Sequence, residues 1–208
     1  MLTISALLPI INPFSTAPLF VSLTTGFDDE RRKRQAFLGC LYAFILLVAF
    51  LLIGSAIIDF FGISVPGIRV AGGLIIGVTG FRMLFPGPPK AQGATPAGEQ
   101  QLDIAFAPIA MPSLAGPGSI SVVLSASAHI RSLRPDNWGL IYAAVIVGMA
   151  ATLLFSFVVL RMASKMVRFL GTGGIDAMTR IFGFLLICIG MQFLLTGISD
   201  FYGVKPAG

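Results

Sequence analysis

The stretch LLPIINPFSTAPLF, residues 7–20, decides the fold, because it is apolar enough to enter a membrane and yet carries three prolines. A second stretch, FAPIAMPSLAGPGSI, residues 106–120, carries three prolines at the same spacings. Each proline inside a helix removes a backbone hydrogen bond, clashes with the preceding turn and costs about 3 kcal/mol or more. The sequence therefore predicts two membrane segments whose helices are broken.

The composition is typical of a membrane protein. Of the 208 residues, 56% are hydrophobic and 11% are charged, whereas soluble domains carry roughly 25% charged residues. The apolar stretches predict six spans of the bilayer, the third of them short. The predicted spans are Met1–Phe27, Ala36–Ile58, Val70–Phe81, Ile104–Ala128, Trp138–Leu160 and Ile181–Ser199. The net charge of +5 arises from basic residues at helix ends, which favours a membrane-topology signal over nucleic-acid binding.

The second half of the chain repeats the first. The aligned prolines are Pro9 with Pro108, Pro13 with Pro112, and Pro18 with Pro117. At the start of the third and sixth spans, Arg69 and Gly72 match Arg180 and Gly183. A unit of three spans has odd parity, so its second copy crosses the membrane in the opposite direction. The predicted fold class is an all-α integral membrane protein of six transmembrane helices, built as two inverted three-helix repeats, with Pro/Gly-broken helices 1 and 4.

The division of the chain follows from these repeats. We predict a first repeat over residues 1–85, a linker over 86–103, an inverted second repeat over 104–199 and a C-terminal tail over 200–208. The basic run RRKR at residues 31–34 predicts that its loop is cytoplasmic, since cytoplasmic loops are rich in Lys and Arg. The linker then lies on the same side, and both termini lie outside.

The broken segments are the candidate functional site. Backbone amides and carbonyls that lose their helical partners are tolerated in hydrocarbon only where they line a cavity, so the two segments are predicted to meet near the midplane. Amides at the start of each second half-helix attract an anion such as a carboxylate. A single proline-containing span is more simply a kinked packing helix, but the duplication favours a site. The candidate substrate-binding residues are Asn12, Pro13, Ser15, Thr16 and Ala17, with Ser113, Ala115, Gly116, Gly118 and Ser119.

Other intramembrane residues fit structural roles more simply. Small residues at helical spacing pack helices together, and this is the predicted role of Gly72, Gly73, Gly77 and Gly80. Gln192 is predicted to hydrogen-bond between helices. For Arg69 and Arg180, two roles stay open: reaching out to the interface, or gating and substrate attraction.

Several classes of function are disfavoured. The predicted spans contain no acidic residue, which argues against a carboxylate cage for divalent cations. They also contain no paired acids, HExxH motif or Ser with a buried His base, so we expect no enzyme activity and no catalytic residue. Cys40 and Cys188 stand apart, without metal-ligand spacing. We therefore expect no metal and no cofactor.

The motifs NPFSTAPLF (residues 12–20), PSLAGPGSI (112–120) and IRVAGG (68–73) resemble those of the MarC family. The resemblance covers essentially the whole chain. It implies a multi-pass inner-membrane protein of six spans, and some members are assigned as transporters of small neutral amino acids such as glycine and alanine. The family often has Asp where this chain has Asn12, so a carboxylate role at that position is not carried over.

The leading hypothesis is a secondary transporter that moves small neutral amino acids across the inner membrane by alternating access. Half-helix amides would hold the carboxylate, while carbonyls and Ser or Asn side chains would hold the ammonium. The expected partners are the amino acid, the lipid bilayer and a coupling ion, either H+ or Na+, with no nucleic acid. Two alternatives stay open: efflux of other small organic solutes, and a non-transporting membrane scaffold. The direction of transport and the oligomeric state are also open.

Overall fold

The computed structural model describes residues 2–86, 104–133 and 138–204, and these residues form helices without any strand. The α-helices are α1 (Leu2–Ile11), α2 (Pro13–Leu23), α3 (Asp29–Phe61), α4 (Val65–Leu84), α5 (Pro117–Leu133) and α6 (Trp138–Tyr202). A π-helical segment, Ala105–Leu114, precedes α5. Apart from its first residue, the predicted linker lies outside the described residues, as do the last four residues of the predicted tail.

The ends of α3 and α4 are specified locally. The side chain of Asp28 accepts a hydrogen bond from the Arg31 amide (3.2 Å) and caps the start of α3. That helix ends at Gly62, whose φ of 63° favours glycine. Ser64 then caps α4 by accepting from the Gly67 amide (3.2 Å). Three residues, 62–64, are therefore enough to separate the two helices.

Four described helices have the length and composition of membrane spans. They are Asp29–Phe61, Val65–Leu84, Gly139–Gly171 and Gly173–Tyr202. The last two belong to α6, which is interrupted where Gly171 adopts φ 64° and ψ −178°. Two shorter apolar helical stretches, Leu7–Leu23 and Pro117–Ala128, accompany them. The predicted all-helical membrane fold is thus confirmed, whereas the six-span inverted repeat stays a prediction, since it requires both interrupted segments to cross.

Glycines bring the backbones of α4 and α6 close together. A Cβ added at Gly73 would lie 2.6 Å from the Gly190 carbonyl oxygen, and one at Gly80 would lie 2.6 Å from that of Gly183. At Gly72, it would lie 2.6 Å from the Ser121 Cβ of α5. These three glycines have the close contacts that the predicted packing role requires. The backbone of Gly77 also lies against α6, since a Cβ added at Gly190 would lie 2.6 Å from the Gly77 amide nitrogen, although a Cβ on Gly77 itself would meet nothing within 4 Å.

The distribution of side chains suits a lipid environment. Large apolar residues such as Phe37, Leu52 and Leu154 are more than half exposed, while some hydroxyl-bearing residues, such as Ser127 and Thr152, are fully buried. Ser127 hydrogen-bonds Tyr142 (3.2 Å), and the Thr152 hydroxyl donates to the Gly148 carbonyl (2.8 Å). Lipid chains are as apolar as a protein core, so exposed leucine and phenylalanine cost little there.

Candidate functional site

The first break lies at Asn12, between α1 and α2. This residue adopts the left-handed conformation, with φ 40° and ψ 70°. The right-handed α region is disfavoured for a residue that precedes a proline, here Pro13. Asparagine tolerates the left-handed conformation better than most residues. Its Oδ1 accepts a hydrogen bond from the Ser15 amide (3.3 Å) and caps α2. The break therefore follows from Asn-Pro itself.

The polar groups around Asn12 serve mainly its own backbone. Its carbonyl accepts hydrogen bonds from the hydroxyls of Ser15 (3.1 Å) and Thr16 (3.3 Å). Its side chain is 2% exposed, with Nδ2 lying 3.9 Å from the Met83 sulfur in α4. A ligand that bound these three polar side chains would have to replace those contacts.

The second break begins in the π-helical segment. Ala107 and Met111 have extended backbone angles, with ψ of 127° and 123°, because each precedes a proline and is driven from the α region. The amides of Ile109 and Ala115 accordingly reach carbonyls five residues back, at 3.3 and 2.8 Å. Regular helix resumes at Pro117, where a proline is tolerated because the first-turn amide needs no partner.

Serine hydroxyls satisfy the carbonyls that this second break releases. Ser113 donates to the Pro108 carbonyl (2.8 Å). Ser119 is placed to donate to the carbonyls of Leu114 (3.1 Å) and Gly116 (3.0 Å). Each hydroxyl also has lone pairs that can accept a hydrogen bond. The two serines therefore stabilise the break and keep acceptor capacity for a ligand.

A cavity of about 100 Å³ lies at this break, and we call it the break cavity. Four of the predicted site residues line it: Ser113, Gly116, Gly118 and Ser119. The rest of its wall is Ile10, Ile76, Thr79, Pro117 and Leu186. The first break contributes only the apolar Ile10. The structure thus brings together the polar groups of the second segment and leaves those of the first outside the cavity.

The other six predicted site residues do not line the break cavity. They are Asn12, Pro13, Ser15, Thr16, Ala17 and Ala115. Ala17 and Ala115 are fully buried, which suits packing residues. A binding role for each of the ten residues stays a prediction.

Thr79 is a cavity residue that the sequence pattern did not single out. It lies in α4 and donates its hydroxyl to the Ile75 carbonyl (2.7 Å). The sequence feature that could have identified it is an isolated hydroxyl residue in the glycine-rich run GVTG, residues 77–80. Ile76 and Leu186 carry no such signal, because apolar residues fill both faces of a membrane helix.

The start of α5 gives the break cavity its electrostatic character. An α-helix leaves its first amides without intrahelical acceptors, and its N-terminus carries partial positive charge. Gly118 and Ser119 occupy that first turn and line the cavity. A Cβ added at Gly118 would lie 3.0 Å from Ile76 and 3.3 Å from Ile10. Glycine therefore keeps space open beside these amides.

The break cavity is lined by uncharged residues alone. Among the described residues, no group of three or more His, Cys, Asp or Glu could hold a metal ion. The wall offers hydroxyls, backbone groups and apolar surface. Such a set can hold a small neutral or zwitterionic solute by hydrogen bonds.

A second, larger cavity of about 480 Å³ lies between α4, α5 and α6, and we call it the Arg69 cavity. Arg69 donates from Nε to the Ser125 hydroxyl (3.1 Å) and pairs with Asp200. Gln192 donates to Thr196 on its own helix (3.3 Å), instead of the interhelical partner predicted for it. The remaining wall is apolar: Val122, Ala126 and Phe193.

Apolar spans interrupted by hydrogen-bonded breaks define a multi-pass integral membrane protein. The model of the MarC family integral membrane protein matches residues 1–202. The inner membrane protein MarC of Salmonella typhimurium is 38% identical over 203 residues, which cover 93% of this chain and 91% of that protein. MarC of Escherichia coli is 39% identical with the same coverage. The chain therefore belongs to the MarC family, as its motifs predicted, and is a multi-pass inner-membrane protein. No solved structure matches it.

Proposed function

We propose that the protein is a secondary transporter of small neutral amino acids of the glycine and alanine type. The observation that supports this most is the break cavity, which joins first-turn amides of α5 to hydroxyl groups inside an otherwise apolar bundle. The solute's carboxylate would accept hydrogen bonds from the amides of Gly118 and Ser119. Its ammonium would donate to hydroxyl oxygens such as those of Ser113 and Thr79.

The volume of the break cavity favours a small solute. An engineered cavity of about 150 Å³ binds benzene, which has six carbon atoms. At about 100 Å³, the break cavity has room for only a few non-hydrogen atoms. Sites for drug-sized molecules are roughly 300–1,000 Å³, so efflux of such molecules is the weaker alternative.

The charge balance also favours a zwitterion. A solute with net charge, buried in a wall of uncharged residues, would carry a desolvation penalty of several kcal/mol. A neutral amino acid brings both of its charges, and these compensate each other. Glycine and alanine therefore suit the break cavity better than lysine, arginine or a dicarboxylic acid.

Alternating access is the mechanism that the predicted inverted repeat supplies. Two copies of one unit, crossing in opposite directions, can rock about a fixed central site and open it to each side in turn. A coupling proton or sodium ion would bind away from the uncharged break cavity or use backbone carbonyls. A non-transporting scaffold is the rival, and it requires no polar cavity at a helix break.

The test is flux in proteoliposomes that contain the purified protein. Labelled glycine and alanine should accumulate under an imposed proton or sodium gradient, whereas phenylalanine and lysine should not. Gly118→Val should abolish the flux, because the side chain fills the break cavity next to Ile76. The matched control is Gly139→Val, at an exposed glycine where a Cβ meets nothing within 4 Å. If folded wild-type protein carried none of these amino acids under either gradient, the scaffold alternative would be favoured.

A further inference from the structure

The Arg69 cavity holds a cation that is mostly buried. The Arg69 side chain is 14% exposed, and its partner Asp200 is 41% exposed. An arginine in an apolar wall is stable only when it is paired and hydrogen-bonded. Here Ser125 orients the guanidinium through Nε, while Nη1 binds a carboxylate. The cavity therefore already contains a carboxylate-binding geometry, and the protein's own Asp200 occupies it.

The position of Asp200 makes this carboxylate exchangeable. It lies near the end of α6 and is the more exposed partner of the ion pair, so it can leave the pair and be hydrated more readily than Arg69. An incoming carboxylate would replace it with the same charge, leaving no buried cation unpaired. A planar guanidinium can donate two parallel hydrogen bonds to a carboxylate, whereas the compact ammonium group of lysine cannot.

The two cavities lie along the same three helices. On α5, the break cavity is lined at Gly118 and the Arg69 cavity at Ser125. On α4, the corresponding residues are Ile76 and Arg69. Seven residues of helix separate the two levels, or roughly 10 Å at about 1.5 Å per residue. The cavities therefore lie at successive levels along α4, α5 and α6.

We propose that the Arg69 cavity is a second binding site, for a small solute that bears a carboxylate, and that Arg69 exchanges Asp200 for the solute's carboxylate. The amide oxygen of Gln192 and the hydroxyl of Thr196 would face the solute's ammonium group. The identification of this solute as an amino acid rests on the proposed function, in which it passes from the Arg69 cavity to the break cavity. Arg69 then has a substrate-attracting role instead of that of an interfacial anchor.

The experiment compares Arg69→Lys and Asp200→Asn with wild-type protein in glycine flux. Arg69→Lys keeps the charge but loses the paired N–H donors of the guanidinium, so the KM for glycine should rise about tenfold while kcat changes by less than about twofold. Asp200→Asn removes the competing carboxylate, so KM should fall by about threefold. The matched control is Arg180→Lys, the repeat-related arginine, which is exposed and does not line this cavity. Unchanged KM in both variants, with lower thermal stability, would show a purely structural ion pair and overturn the proposal.

A binding measurement separates this proposal from the proposed function. Acetate should raise the melting temperature of purified wild-type protein but not that of Arg69→Lys, and acetamide should raise neither. Equal acetate shifts in both proteins would overturn the carboxylate site even if glycine flux is normal. If acetate stabilises the protein through Arg69 but no amino acid is transported, the carboxylate site would be supported and its assignment to an amino acid would be rejected. If Arg69→Lys and wild-type protein had the same KM for glycine in vesicles of phosphatidylcholine alone, the Arg69 ligand would be an anionic lipid headgroup. That result would also overturn the proposal.

Discussion

At the residue scale, Asn12 combines two properties that the first break requires. It accepts the left-handed conformation before Pro13, and its Oδ1 caps α2 through the Ser15 amide. Both properties are local, and the break itself was predicted from the prolines of this segment. Which polar groups face the break cavity depends on tertiary packing, which the sequence does not specify. The hydroxyls of Ser15 and Thr16 contact the Asn12 carbonyl, and a binding role for these three residues stays a prediction.

Two substitutions at Asn12 separate conformation from capping. Asn12→Gly keeps the left-handed backbone and should cost less than about 1 kcal/mol of the free energy of unfolding. Asn12→Ala loses the cap and adds steric strain, so it should cost about 2–3 kcal/mol. Reversible unfolding in mixed micelles measures both values. Equal losses for the two variants would mean that backbone conformation is not what selects asparagine.

At the element scale, the glycines of α4 show how far sequence spacing can predict a contact. Small residues spaced by three or four correctly indicated a packed face, as Gly73 and Gly80 against α6 show. The spacing did not show that a Cβ on Gly77 would meet open space although its backbone contacts Gly190, because apolar residues surround a membrane helix on all sides. For the same reason, Thr79 was not recognised as part of the break cavity wall.

A matched pair of alanine substitutions tests this packing. In Gly80→Ala, the new Cβ would lie 2.6 Å from the Gly183 carbonyl oxygen, so α4 and α6 must separate at a cost of roughly 1–3 kcal/mol. In Gly77→Ala, the Cβ meets open space, and the better helix propensity of alanine should be neutral or stabilising by up to about 1 kcal/mol. The melting temperatures of the two purified variants give the answer. A larger loss at Gly77 would contradict the α4–α6 contact.

At the scale of the whole molecule, the charges gather at the ends of the bundle. Arg32 donates to the Ser164 hydroxyl (3.2 Å) and the Thr24 carbonyl (3.3 Å). A surface cavity there also includes Arg161 and Lys165. Arg32 and Lys33 of the basic run therefore lie at the same end as Arg161 and Lys165 of α6, which is the grouping that the positive-inside rule associates with the cytoplasm.

Cysteine labelling tests this orientation. In a background with Cys40→Ala and Cys188→Ala, single cysteines are placed at Thr25 and Val204, which are both exposed. If residues 31–34 face the cytoplasm, an impermeant thiol reagent applied to intact cells should label Val204→Cys and not Thr25→Cys. Lysis should expose both. The opposite labelling pattern in intact cells would reverse the predicted topology.

The repeat illustrates the limit of sequence reasoning at this scale. Aligned prolines predicted two similar units, and the described helices are interrupted in both proline-rich segments. The alignment does not determine how deeply each interrupted segment enters the membrane, because depth depends on packing against the other helices. Four long spans and two shorter apolar stretches are therefore the confirmed architecture.

The central claim, that the break cavity holds the transported solute, is tested most directly by protection of a cysteine in its wall. In the cysteine-free background, Ser113→Cys places a thiol in this wall, and Ser22→Cys provides an exposed control. Glycine and alanine should slow modification of Ser113→Cys by a small methanethiosulfonate reagent at least about fivefold, as expected when a ligand fills the cavity. Phenylalanine should not slow it, and none of the three should affect Ser22→Cys. Modification of Ser113→Cys at the same rate with and without saturating glycine would contradict the claim.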